Sequence, residues 1–122
     1  MTMLGIDHVQ IAMPPGCETQ ARDFYGRILG FDEIAKPAAL AKRGGVWFVV
    51  GPVGVHLGVD DEFKAGAKAH VAFLIKGLGA FLARLEAAEV ATERGVDHLG
   101  RARAYARDPF GNRLEFIEAM SD

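Results

Sequence analysis

The sequence predicts an α+β fold: two tandem βαβββ modules that pair around a strand-lined cavity, with the helices outside. Three observations lead there. Apolar residues alternate with period two in most segments, but recur at i, i+3, i+4, i+7 and i+8 in two longer ones. The order strand, helix, strand, strand, strand occurs twice. Chemically capable residues also recur in step, with His8 62 residues before His70 and His56 59 residues before Glu115. Within the halves the intervals agree as well: 48 residues from His8 to His56 and 45 from His70 to Glu115. An internal duplication accounts for all of this.

The elements follow in order. Residues 6 to 13 alternate, with Asp7, Val9, Ile11 and Met13 on one face and His8, Gln10 and Ala12 on the other. Pro14, Pro15 and Gly16 end that strand. In ETQARDFYGRILGF the apolar residues Ala21, Phe24, Tyr25, Ile28 and Leu29 make a helical stripe, and Gly30 stands where a left-handed cap is expected. Strands are predicted for FDEIAK, for VWFVVG after Gly44 and Gly45, and for VHLGVD. The second half opens with the strand AHVAFLIKG. A helix, LGAFLARLEAAEV, follows with Leu78, Phe81, Leu82 and Leu85 on one stripe. Glu93 to Leu99 is a weaker strand candidate, RARAYAR a clean alternation, DPFGN a tight turn and NRLEFIEA the last strand. The modules span about residues 4 to 61 and 66 to 120 of a single domain, 1 to 122.

Bulk properties narrow the function. The chain has 122 residues, half of them hydrophobic and a quarter charged, the balance of an ordinary globular domain. A formal net charge of −2 gives no reason to expect nucleic acid or an acidic membrane as partner. The lone cysteine, Cys17, allows no intrachain disulfide, and the N-terminus has neither a basic region nor a long apolar run. A cytoplasmic protein with a small-molecule partner is the expectation.

If each module covers one sheet face with its helix, Val9, Ile11 and Met13 turn toward the helix, as do Val71, Phe73 and Ile75. His8 and His70 then turn the other way, toward the cavity. His8, His56, His70 and Glu115 occupy equivalent strand positions and would converge there. Imidazole and carboxylate are the ligands that zinc, nickel, manganese and ferrous iron share. A lone strand histidine is more often a hydrogen-bonded structural residue than a ligand; the repeat is what tips these four toward a metal. Arg103 and Tyr105 share a face and could supply an anion anchor and a hydrogen-bond donor. Arg101, Arg103 and Arg107 read equally well as a solvated strand face. Trp47 and Phe48 face opposite ways, so one of them would wall the cavity or simply belong to the core. Gln10, on the face of His8, could reach substrate or support a ligand. Cys17 suits packing, Glu18 and Asp23 suit the first helix's dipole, and His98 suits solvent.

With these residues in view, the chain resembles the vicinal oxygen chelate superfamily, which includes glyoxalase I, extradiol dioxygenases, methylmalonyl-CoA epimerase, fosfomycin-resistance enzymes and bleomycin-resistance proteins. DPFGNRLEF carries the likeness most specifically, with GIDHVQIAM and RDFYGRILGF in support. The resemblance implies a curved, partly closed mixed sheet and a divalent metal (Zn, Ni, Mn or Fe(II)) on His8, His56, His70 and Glu115. It implies a metal-dependent lyase, isomerase, dioxygenase or transferase acting on a small oxygenated substrate. Glu115 and His56 would be catalytic, with Arg103, Tyr105, Trp47 and Gln10 toward substrate, in a homodimer. His56 stands where glyoxalase I-like members usually carry a glutamate. A metal-free binding protein of bleomycin-resistance type is the other function the resemblance allows.

Overall fold

The computed structural model describes residues 1–120 and divides into two compact units, Met1–Lys64 and the chain from Ala65 onward. In the first unit, β1 (His8–Met13) leads into α1 (Glu18–Ala21), which widens without a break into a π-helical stretch, Arg22–Ile28. Then come β2 (Asp32–Ile34), a 3₁₀ turn (Ala38–Arg43), β3 (Val46–Val50) and β4 (Val53–Val59). The sheet order is β1-β4-β3-β2, with β1 parallel to β4 and the other pairings antiparallel. The second unit contains β5 (His70–Ile75), α2 (Leu78–Ala87), β6 (Thr92–Val96), β7 (Ala102–Arg107) and β8 (Arg113–Glu118). Its order, β5-β8-β7-β6, repeats the first with the same sense of every pairing. Both units are therefore the predicted βαβββ module, each with a mixed sheet.

One face of each sheet is apolar and lies under the helix. In the first unit Ile11, Met13, Val46, Phe48, Val55 and Leu57 are buried with Ala21, Phe24, Tyr25, Ile28 and Leu29. The Tyr25 and Phe48 rings meet at 5.9 Å. In the second, Phe81 of α2 packs on Phe116 of β8 at 4.9 Å, and Leu78, Leu82, Leu85, Ala104, Ala106 and Leu114 are buried. Burying each large apolar side chain contributes about 1.5–3 kcal/mol. That drive fixes register, because a one-residue slip would carry the apolar set to the opposite face.

Three local features differ from the sequence expectations. The first helix is mostly π-helical, with Leu29 N–H donating to the Phe24 carbonyl at 2.8 Å; Gly30 does adopt positive φ, at 82°. The apolar stripe is buried in full, so its spacing did not distinguish the wider turn from an α-helix. The exposed 3₁₀ turn at Ala38–Arg43 has no apolar stripe to announce it. The strand expected over Glu93 to Leu99 ends at Val96, because Asp97 builds a turn instead. Its carboxylate accepts from the Leu99 and Arg101 amides at 3.0 and 2.8 Å and from Arg101 Nε at 2.7 Å. Burial pushes the Asp97 pKa upward, but these hydrogen bonds outweigh it and hold the carboxyl below its ordinary range.

The DPFGN turn is stapled in the same way. The Asp108 carboxylate accepts from the amides of Phe110 (2.9 Å) and Asn112 (2.8 Å), fixing how β7 hands over to β8. At the other end of β8, Glu118 accepts from the amides of Gly77 and Leu78 at 2.9 and 3.0 Å, capping α2.

Candidate functional site

Since paired strand residues share a face, the registers determine what stands opposite each helix-covered surface. In the second unit that face carries His70, Ala72 and Leu74 of β5 beside Arg113, Glu115 and Ile117 of β8. It continues with Arg107, Tyr105 and Arg103 of β7. His70 Nε2 lies 2.8 Å from Glu115 Oε1, and Arg103 Nη1 lies 3.3 Å from Glu115 Oε2. Glu115 is 7% exposed although it carries a carboxylate. The same Arg103 Nη1 donates to the Tyr105 hydroxyl, and Tyr105 stands edge-on to His70, 5.5 Å between centroids.

The His70 ring has a fixed tautomer. Its Nδ1 is 2.7 Å from the Lys68 carbonyl oxygen, which can only accept, so Nδ1 carries a proton and donates. In the neutral ring Nε2 is then a lone pair, and it faces a carboxylate oxygen. Two acceptors at 2.8 Å repel unless a cation is shared between them, either an added proton or a metal. Donors at about 2.0–2.2 Å on neighbouring vertices of an octahedral ion stand about 3 Å apart. The His70–Glu115 pair thus fits a divalent metal in spacing, in donor type and in having a backbone acceptor behind the imidazole.

The equivalent face of the first unit carries His8, Gln10 and Ala12 of β1, Gly54, His56 and Gly58 of β4, and Trp47 of β3. His8 Nδ1 donates to Asp7 Oδ2 at 2.8 Å, again leaving Nε2 without its proton when the ring is neutral. His56 is sandwiched: Trp47 stacks on it at 3.9 Å and 4° between planes, and His8 at 4.4 Å and 16°. Burial, and then the neighbouring His8, hold the His56 pKa below the ordinary imidazole value, so it is neutral at pH 7. Stacked rings present faces rather than converging nitrogens, so this pair is not a pincer as the His70–Glu115 pair is.

Glycines make room for these rings. A Cβ at Gly54 would stand 3.1 Å from His56 Nε2 and 3.0 Å from His8 Cβ, and one at Gly58 would stand 2.3 Å from Gln10 Nε2. The pattern Gly54-x-His56-x-Gly58 is visible in the sequence as three positions of one parity, which is the signal that finds it.

The candidates are therefore gathered within each unit as two pairs, His8 with His56 and His70 with Glu115. Among the described residues no group of three or more His, Cys, Asp or Glu side chains is assembled. Trp47 takes the His56 side, leaving Phe48 to the core; Arg103 and Tyr105 join Glu115. Gln10 lies over Gly58. Three contributors went unread in the sequence: Asp7, the Lys68 carbonyl and Arg113, whose guanidinium lies over the Tyr105 ring at 3.8 Å. Arg113 shares parity with Glu115, so alternation alone could have placed it. The residues given no role keep none: the Cys17 thiol faces the Pro15 carbonyl at 3.6 Å, Asp23 pairs with Arg27, and His98 is exposed. Glu18 does more than suit a dipole, accepting from the Gly45 amide at 3.2 Å.

The repeat holds at the level of single pairings. His8 lies opposite Gly54 with His56 two residues on, and His70 lies opposite Arg113 with Glu115 two residues on. Trp47 lies opposite His56 as Tyr105 lies opposite Glu115. Each unit thus places an aromatic residue beside the candidate ligand of its last strand.

Comparison with known proteins adds a lineage to this geometry. A family model described as the Glyoxalase/Bleomycin resistance protein/Dioxygenase superfamily matches residues 5–116. A crystal structure of a protein assigned to the glyoxalase family, from Bacillus anthracis, is 42% identical, with TM-score 0.94 and 98% of each chain covered. Lactoylglutathione lyase from Agrobacterium tumefaciens is 21% identical, with TM-score 0.74 and coverage of 94% of this chain and 93% of that one. A glyoxalase/dioxygenase from Nostoc punctiforme is 21% identical, with TM-score 0.77 and coverage of 96% and 92%. At these last identities the likeness is one of fold. No curated protein matches significantly. Among the described residues no helix is long and apolar enough to cross a membrane.

Proposed function

Because the chain belongs to the glyoxalase/bleomycin resistance protein/dioxygenase superfamily, we propose that it is a metal-dependent enzyme acting on a small oxygenated molecule. The superfamily acts on small molecules and generally uses divalent metals. One observation supports the reading most: His70 Nε2 and Glu115 Oε1 stand 2.8 Å apart, close enough to share one cation, with the Lys68 carbonyl engaging His70 Nδ1. His70 and Glu115 would hold the ion, and His8 and His56, their equivalents in the duplication, are the further donors the chain offers. A bound Zn, Ni, Mn or Fe(II) ion would act as a Lewis acid toward vicinal oxygens of the substrate.

The chain's own residues do the rest. Arg103 occupies Glu115 Oε2 and so keeps Oε1 toward His70. The Lys68 carbonyl keeps the His70 proton on Nδ1. His56, neutral and free only at its ring edge, is suited to take a proton from substrate. Trp47, Tyr105, Gln10 and Arg103 would contact the rest of the molecule.

A second reading has an observation of its own. The Trp47–His56–His8 stack is an aromatic surface rather than a chelate, as a metal-free binding protein would use. The two readings separate by metal titration. Protein stripped with chelator and reloaded should hold near-stoichiometric divalent metal, and His70→Ala or Glu115→Gln should weaken retention by about 10- to 100-fold or more. Retention unchanged in the double variant would overturn the enzyme reading.

A further inference from the structure

Arg113 is half-buried, and its guanidinium lies over the Tyr105 ring, Cζ 3.8 Å from the centroid. Among the described residues it has no hydrogen-bond acceptor and no ion-pair partner. Arg103 approaches the same ring, its Cζ 4.6 Å from the centroid. Only its Nη1 is engaged; Nε is buried without a partner and Nη2 donates to nothing among the described residues. Stacking orients a guanidinium without using its N–H groups, so both forks keep donors to offer. Partly buried donors without acceptors are costly, and an incoming anion removes that cost.

Charge sets the kind of ligand. The β6, β7 and β8 registers place Arg103, Arg107 and Arg113 on this face against Glu93 and Glu115. Three guanidiniums against two carboxylates leave one positive charge, and the cation shared by His70 and Glu115 adds to it. Arg107 turns its Nη1 to the Gly111 carbonyl at 2.9 Å, so Arg103 and Arg113 are the two left to serve a ligand. The face therefore carries an excess of positive charge that suits an anion. A carboxylate, whose two oxygens match the guanidinium fork, fits best.

We propose that Arg103 and Arg113, both at the Tyr105 ring, form a binding site for the carboxylate of a small molecule seated beside His70 and Glu115. The proposal rests on the reading of this face as the substrate face, and it gives that substrate its chemical class. Arg113 is the specificity-determining member, because Arg103 is shared with Glu115.

The arginine Nε–Hε resonances of the metal-stripped full chain provide the test. Benzoate is titrated, with benzamide as its uncharged counterpart and inorganic phosphate as the dianion. The expected result is a saturable shift of the Arg103 and Arg113 signals with benzoate, none with benzamide, and weaker binding of phosphate. Arg113→Gln should weaken benzoate binding by about tenfold or more, as loss of a charge-assisted contact does, and Arg113→Lys by less. Equal shifts with benzoate and benzamide, tighter phosphate binding, or unchanged benzoate affinity in Arg113→Gln would each overturn the proposal. Should that variant not fold, the wild-type titration with its two controls decides alone. Metal titration of the same samples keeps the two readings apart. Benzoate bound through Arg113 by a chain that retains no metal sinks the metal reading only. Metal retention without benzoate selectivity sinks the carboxylate site only.

Discussion

Lys68 contributes a backbone oxygen to the site, and that oxygen decides what His70 can do. By accepting from Nδ1 it turns Nε2 toward Glu115, the orientation that the proposed metal pair needs. No side-chain pattern encodes such a partner, so it was not legible, and neither was Asp7 behind His8. The ligand candidates themselves were legible, because parity and the repeat together picked His8, His56, His70 and Glu115. Arg113 was equally open to that logic through its parity with Glu115; what parity does not show is that its guanidinium lies on Tyr105. At the same scale, Gly45 makes a firm prediction. It has φ of 88° and lies where a Cβ would stand 2.3 Å from the Leu57 carbonyl oxygen, a backbone atom that does not swing away. Gly45→Ala should cost about 3 kcal/mol in urea unfolding, combining left-handed strain with a backbone clash. Gly58→Ala meets only the flexible end of Gln10 and should cost clearly less. Equal costs would contradict this account.

Elements with a buried face announce themselves, and elements without one do not. The alternation of β7, with Ala104 and Ala106 buried beneath Arg103 and Tyr105, was read correctly because the helix side admits only small apolar groups there. The 3₁₀ turn buries nothing, and so left no mark on the sequence. The π-helical stretch buries the set an α-helix would, so the pattern was right about the face and silent about the pitch. The start of α2 shows a dependence that local sequence hides: its cap comes from the end of β8. Glu118→Ala removes both acceptors of the Gly77 and Leu78 amides and should destabilise the second unit by about 1–2 kcal/mol, with Glu118→Gln recovering part of it. Equal stability of Glu118→Ala and wild type in urea would show that water replaces the cap without loss.

At the level of the whole chain, duplication is the organising fact, and it was legible from intervals before any pairing was known. The strand orders β1-β4-β3-β2 and β5-β8-β7-β6 leave β4 and β3, and β8 and β7, as the inner strands. Native-state hydrogen exchange should therefore rank alike in both units: inner-strand amides slowest, β2 and β6 fastest among the strands. Opposite rankings in the two units would mean that the repeat is one of shape and not of stability.

The parallel pairings of β1 with β4 and β5 with β8 also impose a schedule on synthesis. A hairpin such as β7–β8 can form as soon as its own residues emerge, since only a short loop must close. The histidine-bearing strand that opens each half has to wait for the strand that closes it, some 45 residues later. His70 therefore leaves the ribosome 45 residues ahead of Glu115, and until β8 follows it the imidazole stands without its acid.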